Sequence, residues 1–407
     1  DVHVGGYVNV LAAALPIMAA AGRGRVVGFT SGVGLARTSE ASPAYGTAKR
    51  AVAALTWQAG PLAPPGVAIN ALSPIAATRM VAQALAVGSG TSPRGLDLSA
   101  MPQPEDMAPA AVWLASDAPF RGQVVFSAGP ELSLIAPPSL VEGVRTAGDF
   151  GAALDTLMPV VLGPAAVTQT TTGGSNPRFG PVWGPAAPPR AGSPEAHPGE
   201  FGAHGPRCLV VSDDRSVGSA ISTGLTRWGA SVVSSSLTAE DLPPAHDTVV
   251  VALCPRSTAR ESCEALIDEH RTVTERLLAH AGWARAASRL ARDSARPVRI
   301  VHVVGATTAA GKTVAQAVTQ LARSSPPSVP VASFAVGLES GRPEDLGALG
   351  ELCGRLACAD DAGGLAGAEL AVLPGWAALR RHPGPAATVS FGGRDIPGWA
   401  AEAFMTG

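Results

Sequence analysis

Tyrosine and lysine are the residues that this sequence of 407 residues nearly lacks. Its two tyrosines are Tyr7 and Tyr45 and its two lysines are Lys49 and Lys312, so 28 of its 30 basic residues are arginine. The basic residues are scattered and the formal net charge is -2, which excludes the basic surface that is typical of nucleic-acid binding. Hydrophobic residues make up 46% of the chain and charged residues 15%, so large cores can form, and the length predicts two domains.

Cysteine is also sparse, with five residues that all lie in the second half of the chain. None has CxxC spacing, which excludes the usual zinc and redox dithiol motifs, so we expect no metal site and reduced thiols in a cytoplasmic protein. The apolar run 8–21 is shorter than a membrane span and contains Pro16, so it predicts a buried helix and no membrane association. The chain starts at Asp1 without the basic segment that opens a signal peptide, and this start suggests the tail of a longer protein.

Helical and strand patterns alternate over residues 1–136 and again over residues 207–407. Strands separated by helices predict parallel sheets built from βαβ units. Residues 137–206 are interpreted as a C-terminal extension followed by a flexible linker, because Pro, Gly, Ser and Thr dominate residues 163–206. We therefore predict an α/β protein with two Rossmann-like doubly wound parallel sheets, the first one incomplete, joined by a Pro/Gly-rich linker.

The same patterns predict approximate bounds for the elements. Ser42 and Pro43 are predicted as the N-cap and first-turn residues of a helix that runs to Gln58. In the first stretch we expect strands at 25–30, 67–72 and 122–127, the last being the final one, and further helices at 8–21 and 105–116. In the second stretch we expect strands at 208–212, 230–235, 248–254, 298–304 and 329–336, with a long helical region at 259–292.

The two stretches resemble each other in sequence. Residues 25–31 align with residues 299–305 at an offset of 274, and the segment from Lys49 aligns with the segment from Lys312 at an offset of 263. Matches at 64–67 and 104–106 follow in the same order at offsets of 262 and 239. Preserved order with a drifting offset predicts two copies of one fold that differ in loop length. The second copy lacks eleven residues between its strand and the helix that follows.

The longer loop of the first copy ends in the pattern YxxxK, formed by Tyr45 and Lys49. Residues four apart at the start of a helix project from the same face. A phenol is a poor base near neutral pH, and an ammonium group one turn away stabilises its phenolate, which would make Tyr45 a proton donor or acceptor. Ser31 ends the preceding strand, at the edge where open parallel sheets bind ligands, and would hydrogen-bond a substrate carbonyl.

Together, GRVVGFTS, YGTAK and APPGVAINALSPIAATRM resemble the catalytic half of the short-chain dehydrogenases/reductases. The resemblance covers residues 1–136 well and residues 207–394 weakly. It implies an oxidoreductase that interconverts a carbonyl and a secondary alcohol with NAD or NADP as its cofactor. It also implies that Tyr45 is the catalytic acid/base, that Lys49 supports it and holds the nicotinamide ribose, and that Ser31 orients the carbonyl.

The resemblance extends to four further positions and departs from the family at two of them. Pro74, Ile75 and Thr78 would lie at the nicotinamide end of the cofactor, where isoleucine in place of the usual glycine would make the backbone approach less close. His3 stands where the family has a catalytic asparagine, and the alternative is a polar residue at a helix start without a catalytic role. Histidine there is similar to D-3-hydroxyacyl-CoA dehydrogenase and 3-oxoacyl reductase types, which implies 3-oxoacyl or 3-hydroxyacyl thioesters of CoA or an acyl carrier as substrates.

The first copy begins downstream of the family's glycine-rich turn, which binds the dinucleotide pyrophosphate at a helix N-terminus. We expect about a hundred residues upstream that carry this turn. The second copy is a poor substitute, because only Gly218 fits the glycine pattern and Asp213 and Asp214 place negative charge where a pyrophosphate would lie. It also has no tyrosine, so we interpret it as a degenerate, non-catalytic copy that pairs with the first as an intramolecular pseudo-dimer, or within a homo-oligomer.

Two other functions remain open at this point. The segment ATTAAGKT, residues 306–313, follows a predicted strand and precedes a helix as a phosphate-binding P-loop does, and Lys312 and Thr313 would then bind a nucleotide. Ala306 replaces the leading glycine, however, and the repeat alignment makes this segment the shortened counterpart of YGTAK. The other alternative is a non-catalytic interaction module derived from the same family.

Overall fold

The structure is a computed structural model that describes residues 2–35, 43–79, 101–146, 205–236, 238–255, 262–270, 272–324, 329–393 and 395–406. We call residues 2–146 of this set the N-terminal region and residues 205–406 the C-terminal region. The elements of the N-terminal region are α1 (Val4–Ala21), β1 (Gly24–Phe29), α2 (Gly32–Leu35), α3 (Pro43–Leu62), β2 (Val67–Pro74), a 3-10 turn (Pro104–Met107), α4 (Ala108–Ser116), β3 (Val124–Ala128), β4 (Glu131–Ala136) and β5 (Leu140–Arg145).

The C-terminal region alternates strands and helices before it ends in three short strands and a helix. Its strands are β6 (Arg207–Ser212), β7 (Ser231–Ser234), β8 (Thr248–Leu253), β9 (Val298–Gly305), β10 (Val331–Leu338), β11 (Glu369–Leu373), β12 (Trp376–Arg380) and β13 (Gly384–Ser390). Its α-helices are α5 (Arg215–Arg227), α6 (Cys263–His270), α7 (Val273–Ser294), α8 (Ala309–Ala322), α9 (Pro343–Cys358) and α10 (Trp399–Thr406), with 3-10 turns at Ala239–Asp241 and Asp360–Leu365.

The first sheet has the strand order β1-β2-β3-β4-β13 among the described residues. β1, β2 and β3 are parallel, with Gly24 opposite Val67 and Ala71 opposite Val124. β2 is buried except at its last residue, as expected for a parallel strand covered on both faces. β4 then returns antiparallel to β3. The parallel part of this sheet is therefore narrow, which agrees with the incomplete first sheet predicted from the sequence.

The second sheet has the order β5-β12-β11-β10-β9-β8-β6-β7 in the described part of the chain. The six neighbouring strands from β11 to β7 are all parallel. The chain reverses direction across the sheet between β6 and β8, which is the topological switch point of a doubly wound fold. The predicted fold class, α/β with Rossmann-like parallel sheets, is confirmed.

The two sheets exchange their last strands. β5 follows β4 of the first sheet but pairs with β12 of the second, and β13 follows β12 but pairs with β4. Side chains fasten both exchanged strands: the hydroxyl of Thr146 donates to the carboxylate of Asp345 at 2.6 Å, and the hydroxyls of Ser133 and Thr388 lie 2.8 Å apart. Each sheet is thus completed by a strand from the other region, as in a domain swap within one chain.

Helices also join the two regions. α3 packs along α8, and α1 contacts α6 and α7. Val4 and Ala51 of the N-terminal region share one hydrophobic core with Leu277 and Val314 of the C-terminal region. A second core combines residues of α1 and α3 with Ile267 of α6 and its neighbours. Because apolar burial is the main stabilising contribution in folding, these shared cores hold the two regions together.

Several element bounds differ from the sequence-based expectations. α1 starts at Val4 rather than at position 8 and is 18 residues long. Among the described residues it is the one helix whose length and composition suit a membrane span. One of its faces is buried in the protein. The expected helix at 259–292 is two helices, α6 and α7. The strand at 122–127 was predicted to be the last one of its region. This prediction is wrong, because β4 and β5 follow β3. Ser42 and residues 147–204 of the predicted extension and linker, which was placed at 137–206, lie outside the described residues.

Candidate active site

The candidate active site lies at the carboxyl edge of the first sheet, where parallel sheets bind their ligands. β1 ends at Phe29, and the backbone N–H of Thr30 still donates to a carbonyl of β2 at 2.9 Å. Ser31 follows directly and is half-buried. Tyr45 lies in the first turn of α3, and Lys49 lies one turn further on. The local sequence therefore places one hydroxyl at the strand end and the phenol and the amine at the adjacent helix start.

Lys49 is held between β1 and Tyr45. Its Nζ donates a hydrogen bond to the carbonyl oxygen of Phe29 at 2.9 Å and lies 5.6 Å from the centroid of the Tyr45 ring. The backbone oxygen of Lys49 accepts a hydrogen bond from the hydroxyl of Thr30 at 2.6 Å. Burial lowers the pKa of the Lys49 amine. A cation fixed beside a phenol stabilises the phenolate form, which is what a tyrosine acid/base requires.

His3 completes a cluster around Tyr45. The two ring centroids are 5.4 Å apart, and the rings meet nearly edge to face at 78°. Partial burial lowers the pKa of His3, and the positive charge of Lys49 lowers it further. A neutral imidazole beside the phenol is suited to accept or pass on a proton. We call His3, Tyr45 and Lys49 the catalytic cluster, after the role that the sequence resemblance predicts for them.

Ser31 is held by the short helix that follows it. Its carbonyl oxygen accepts hydrogen bonds from the N–H groups of Gly34 at 2.9 Å and Leu35 at 3.2 Å. Its hydroxyl accepts a longer one from the N–H of Val33 at 3.4 Å. Residues 36–42, which lead on to α3, lie outside the described residues. The structure therefore places Ser31 at the same sheet edge as the catalytic cluster, with its backbone fixed by α2.

Pro74, Ile75 and Thr78 follow β2 at the same edge. Pro74 is the last residue of that strand, and Thr78 is half-buried. The N–H of Ile75 donates to Ser127 of β3 at 3.0 Å, and its side chain is only 9% exposed. Ile75 belongs to the hydrophobic core beneath the site, so the larger side chain takes little room at the sheet edge. Isoleucine in place of the family's usual glycine at position 75 therefore leaves room for a ligand at this edge of the sheet.

The corresponding junction of the C-terminal region is closed. α8 begins at Ala309, directly after the short segment 306–308 that follows β9. The N-cap residue is Thr308, whose hydroxyl accepts from the N–H of Gly311 and donates to Glu269 at 2.6 Å. A Cβ atom on Gly311 would lie 2.3 Å from the carbonyl oxygen of Gly305, so the helix start presses against the strand end. This contact leaves no room for a catalytic loop.

The P-loop alternative is not supported by this junction. Thr313, which would hold a metal-bound nucleotide, is fully buried, and its hydroxyl donates to the carbonyl of Ala309 within the helix at 3.0 Å. A phosphate cradle also needs a long loop of free backbone N–H groups, whereas only residues 306–308 separate β9 from α8. Lys312 lies in the first turn of α8 without such a loop around it.

Acidic side chains occupy the usual pyrophosphate position of the second sheet. The carboxylate of Asp214 accepts hydrogen bonds from the N–H groups of Ser216 and Val217 and so caps α5. Asp213 follows β6, and its carboxylate accepts from the N–H of Cys254, after β8, at 2.6 Å. Partial burial raises the pKa of Asp213. The Asp214 carboxylate thus uses N–H groups of the helix N-terminus that would otherwise bind a phosphate.

The comparison with known families agrees with the site geometry. Residues 1–126 match the family model described as enoyl-(acyl carrier protein) reductase. This match supports the resemblance of the N-terminal region to the short-chain dehydrogenases/reductases, and with it a general NAD(P)-dependent oxidoreductase activity. The matched segment contains every predicted site residue from His3 to Thr78 and ends within β3. No curated protein matches the chain.

A buried polar group next to the site was not predicted from the sequence. Arg50 follows Lys49 in α3, is fully buried, and pairs with Glu369 of β11 at 2.6 Å. Glu369 also lies 3.3 Å from Arg323 and 3.7 Å from His382. Burial raises the pKa of the Glu369 carboxylate, whereas Arg50, Arg323 and His382 lower it. Their combined effect is larger than that of burial, so the pKa is lowered to about 2. Long sequence separation hides this group from pattern analysis, because its members belong to different regions.

Proposed function

We propose that the N-terminal region is the catalytic part of an NAD(P)-dependent oxidoreductase that interconverts a carbonyl and a secondary alcohol by Tyr-Lys-Ser chemistry. The observation that carries this proposal is the catalytic cluster, with Lys49 and His3 packed against the ring of Tyr45. The family match over residues 1–126 supports the coarser part of this proposal, an NAD(P)-dependent oxidoreductase in general.

In the direction of reduction, the bound nicotinamide would supply a hydride to the carbonyl carbon. Ser31 would donate a hydrogen bond to the carbonyl oxygen and fix its position. As negative charge develops on that oxygen, the Tyr45 hydroxyl would transfer its proton to it, leaving an alcohol and a phenolate. Lys49 would stabilise this phenolate, and His3 would help return a proton to it. Oxidation follows the same steps in reverse.

The residues at the sheet edge fit the nicotinamide end of NAD or NADP. Lys49 would hold the ribose, and the segment from Pro74 to Thr78 would lie along the nicotinamide, since the Ile75 side chain is packed into the core below.

For the substrate, we propose 3-oxoacyl or 3-hydroxyacyl thioesters carried by CoA or an acyl carrier. His3 beside Tyr45 supports this choice, since histidine at this position is similar to enzymes acting on such thioesters. The description of the matched family names an acyl carrier protein, which supports an acyl-carrier thioester but says nothing of a 3-oxo or 3-hydroxy group. A cytoplasmic location agrees with five cysteines that are all free thiols.

For the C-terminal region, we propose a degenerate second copy that serves as a built-in partner rather than a catalyst. α3 and α8 are the equivalent helices of the sequence repeat, and they pack against each other. Its counterpart of Tyr45 is Thr308, which caps a helix. A pseudo-dimer within one chain, alone or in a larger oligomer, is the arrangement that these contacts support.

The experiment that tests the catalytic assignment is a pair of tyrosine variants in the full-length protein. Tyr45→Phe removes the proposed acid/base, and we expect carbonyl reduction with NADH or NADPH to fall by a factor on the order of 10² or more. Tyr7→Phe is the matched control, because Tyr7 is half-buried in the same region and its hydroxyl lies 3.2 Å from the hydroxyl of Thr56. Retained turnover in Tyr45→Phe would refute the assignment.

A further inference from the structure

The segment that carries the active-site serine is pressed against α3 on one side. A Cβ atom on Gly34 would lie 2.6 Å from the backbone nitrogen of Arg50 and 2.7 Å from the carbonyl carbon of Lys49. The glycine is therefore needed for α2 to approach the helix that carries the catalytic lysine. Leu35 is fully buried and packs into the core beneath the site.

On its other side, the same segment is held by two side chains of the C-terminal region. The Nε2 amide of Gln320, in α8, donates to the carbonyl oxygen of Val33 at 3.2 Å. The Nε2 atom of His382, between β12 and β13, lies 2.7 Å from the carbonyl oxygen of Leu35. A carbonyl only accepts hydrogen bonds, so His382 carries its proton on Nε2 and donates it.

The orientation of His382 is fixed by charged groups around its other nitrogen. Arg323 donates to Nδ1 of His382, and the same guanidinium donates to the carbonyl of Gly367 at 2.7 Å. Glu369 stands beside both and pairs with Arg50, the neighbour of the catalytic lysine. Burial lowers the pKa of His382 to about 3, with Arg323 lowering it and Glu369 opposing, so the ring stays neutral. Because Arg323 donates to Nδ1, the single proton of the neutral ring lies on Nε2, which donates to α2.

We propose that Gln320 and His382 are positioning residues, through which the C-terminal region holds the Ser31 segment in its place beside Lys49. Both bind backbone carbonyls of α2, whose N–H groups in turn bind the carbonyl of Ser31. That these two hydrogen bonds affect catalysis rests on the proposed function, whereas their role in holding α2 does not.

Hydrogen–deuterium exchange of the full-length protein tests the positioning role directly. His382→Leu and Gln320→Met each remove one hydrogen-bond donor to α2. Each puts an apolar side chain of similar size in place of the polar one. We expect exchange at the amides of Gly34 and Leu35 to accelerate by about tenfold, the effect of losing one hydrogen bond. His382→Gln keeps an amide donor and should restore slow exchange.

The matched control is Thr388→Val, which removes another hydrogen bond between the two regions, to Ser133, at a place remote in sequence from α2. This variant should leave exchange over residues 29–35 unchanged. Equal acceleration in Thr388→Val, or acceleration spread over the whole protein, would show general loosening and overturn the proposal. Unchanged exchange in both donor variants would overturn it as well.

Kinetics in the same variants link the contact to catalysis. Misplacing Ser31 should lower kcat roughly tenfold with little change in the KM of the cofactor, because binding groups on β2 are untouched. Faster exchange without any change in kcat would overturn the positioning role. If the wild-type protein shows no turnover at all, the proposed function fails, and the exchange experiment still decides whether the C-terminal region holds this segment.

Discussion

The connections after β1 and β9 each join a parallel strand to a helix, but they differ in length. After β1, residues 30–42 separate the strand from α3, and Ser31 and Tyr45 lie at the two ends of this connection. After β9, residues 306–308 suffice, and Gly311 lies directly on the strand end. The helices that follow the junctions pack against each other. This contrast is what the proposed division into a catalytic and a degenerate copy predicts: both regions have the pairing helix, and only the first has the longer connection before it.

A second comparison concerns the interior behind the two junctions. In the N-terminal region, Tyr7 packs over Gly28, where an added Cβ atom would lie 2.8 Å from the phenol. In the C-terminal region, His302 is the repeat counterpart of Gly28, and its Nδ1 atom lies 3.1 Å from that of His280 in the helix α7. A large side chain over a glycine in one region thus contrasts with two side chains of intermediate size in the other.

The largest effect is expected where the two lysines are compared. Lys49→Ala removes the ammonium group beside Tyr45, and we expect kcat for carbonyl reduction to fall by a factor on the order of 10² to 10⁴. Lys312→Ala, at the equivalent position of α8, should leave kcat unchanged. Steady-state kinetics of both full-length variants measure this difference. Similar losses of kcat in the two variants would contradict the proposal that only the N-terminal region is catalytic.

The next effect concerns the buried pair between Arg50 and Glu369. Arg50→Met leaves the carboxylate without its closest partner, so we expect the free energy of unfolding to fall by about 3 kcal/mol. The repeat alignment places Thr313 at the equivalent position, and Thr313→Val should cost about 1 kcal/mol. Urea denaturation at one pH measures both. A smaller loss in Arg50→Met than in Thr313→Val would show that the charged group between the regions contributes little.

Acid sensitivity should come mainly from the C-terminal region. Burial lowers the pKa of His302 to about 3 and that of His280 well below its ordinary value of 6.5. The unfolded chain therefore takes up protons below pH 6.5 that the folded protein does not. Stability is fully present above pH 6.5 and falls as the pH decreases toward 3, by up to about 1.4 kcal/mol per pH unit for each histidine.

The N-terminal pair suggests how to remove this sensitivity. Combining His280→Tyr with His302→Gly copies Tyr7 and Gly28, and should flatten the loss of stability between pH 7 and pH 5.5. Urea midpoints over that range, in which carboxylates stay ionised, provide the measurement. An unchanged slope relative to the wild-type protein would place the acid sensitivity elsewhere.

The smallest effect is expected at the N-terminus of α5. Asp214→Ala removes the cap on Ser216 and Val217, and we expect a loss of about 1 kcal/mol in the free energy of unfolding with no change in turnover. A change in the KM of NADH or NADPH in this variant would indicate that the C-terminal region binds the cofactor, contrary to the comparison above.

Sequence patterns predicted much of this fold because the regular elements are strongly hydrophobic and recur in order. The scarcity of tyrosine and lysine also singled out Tyr45 and Lys49, which the structure brings together. The short strand β4 was missed, although it pairs with the neighbouring strand β3. The short strands β5 and β13 were missed as well, because their pairing partners are distant in the chain and no local pattern specifies them. For the same reason Gln320 and His382 could not be predicted: they contact residues 287 and 347 positions away.

The exchange of β5 and β13 has a consequence for how the protein behaves on dilution. Two separate chains that complete each other's sheets would come apart as their concentration falls. Within one chain the partners face each other at a fixed and high effective concentration, so the pairing does not depend on expression level. Cleavage between residues 147 and 204 should therefore leave two fragments that stay associated, because each holds a strand that the other's sheet requires.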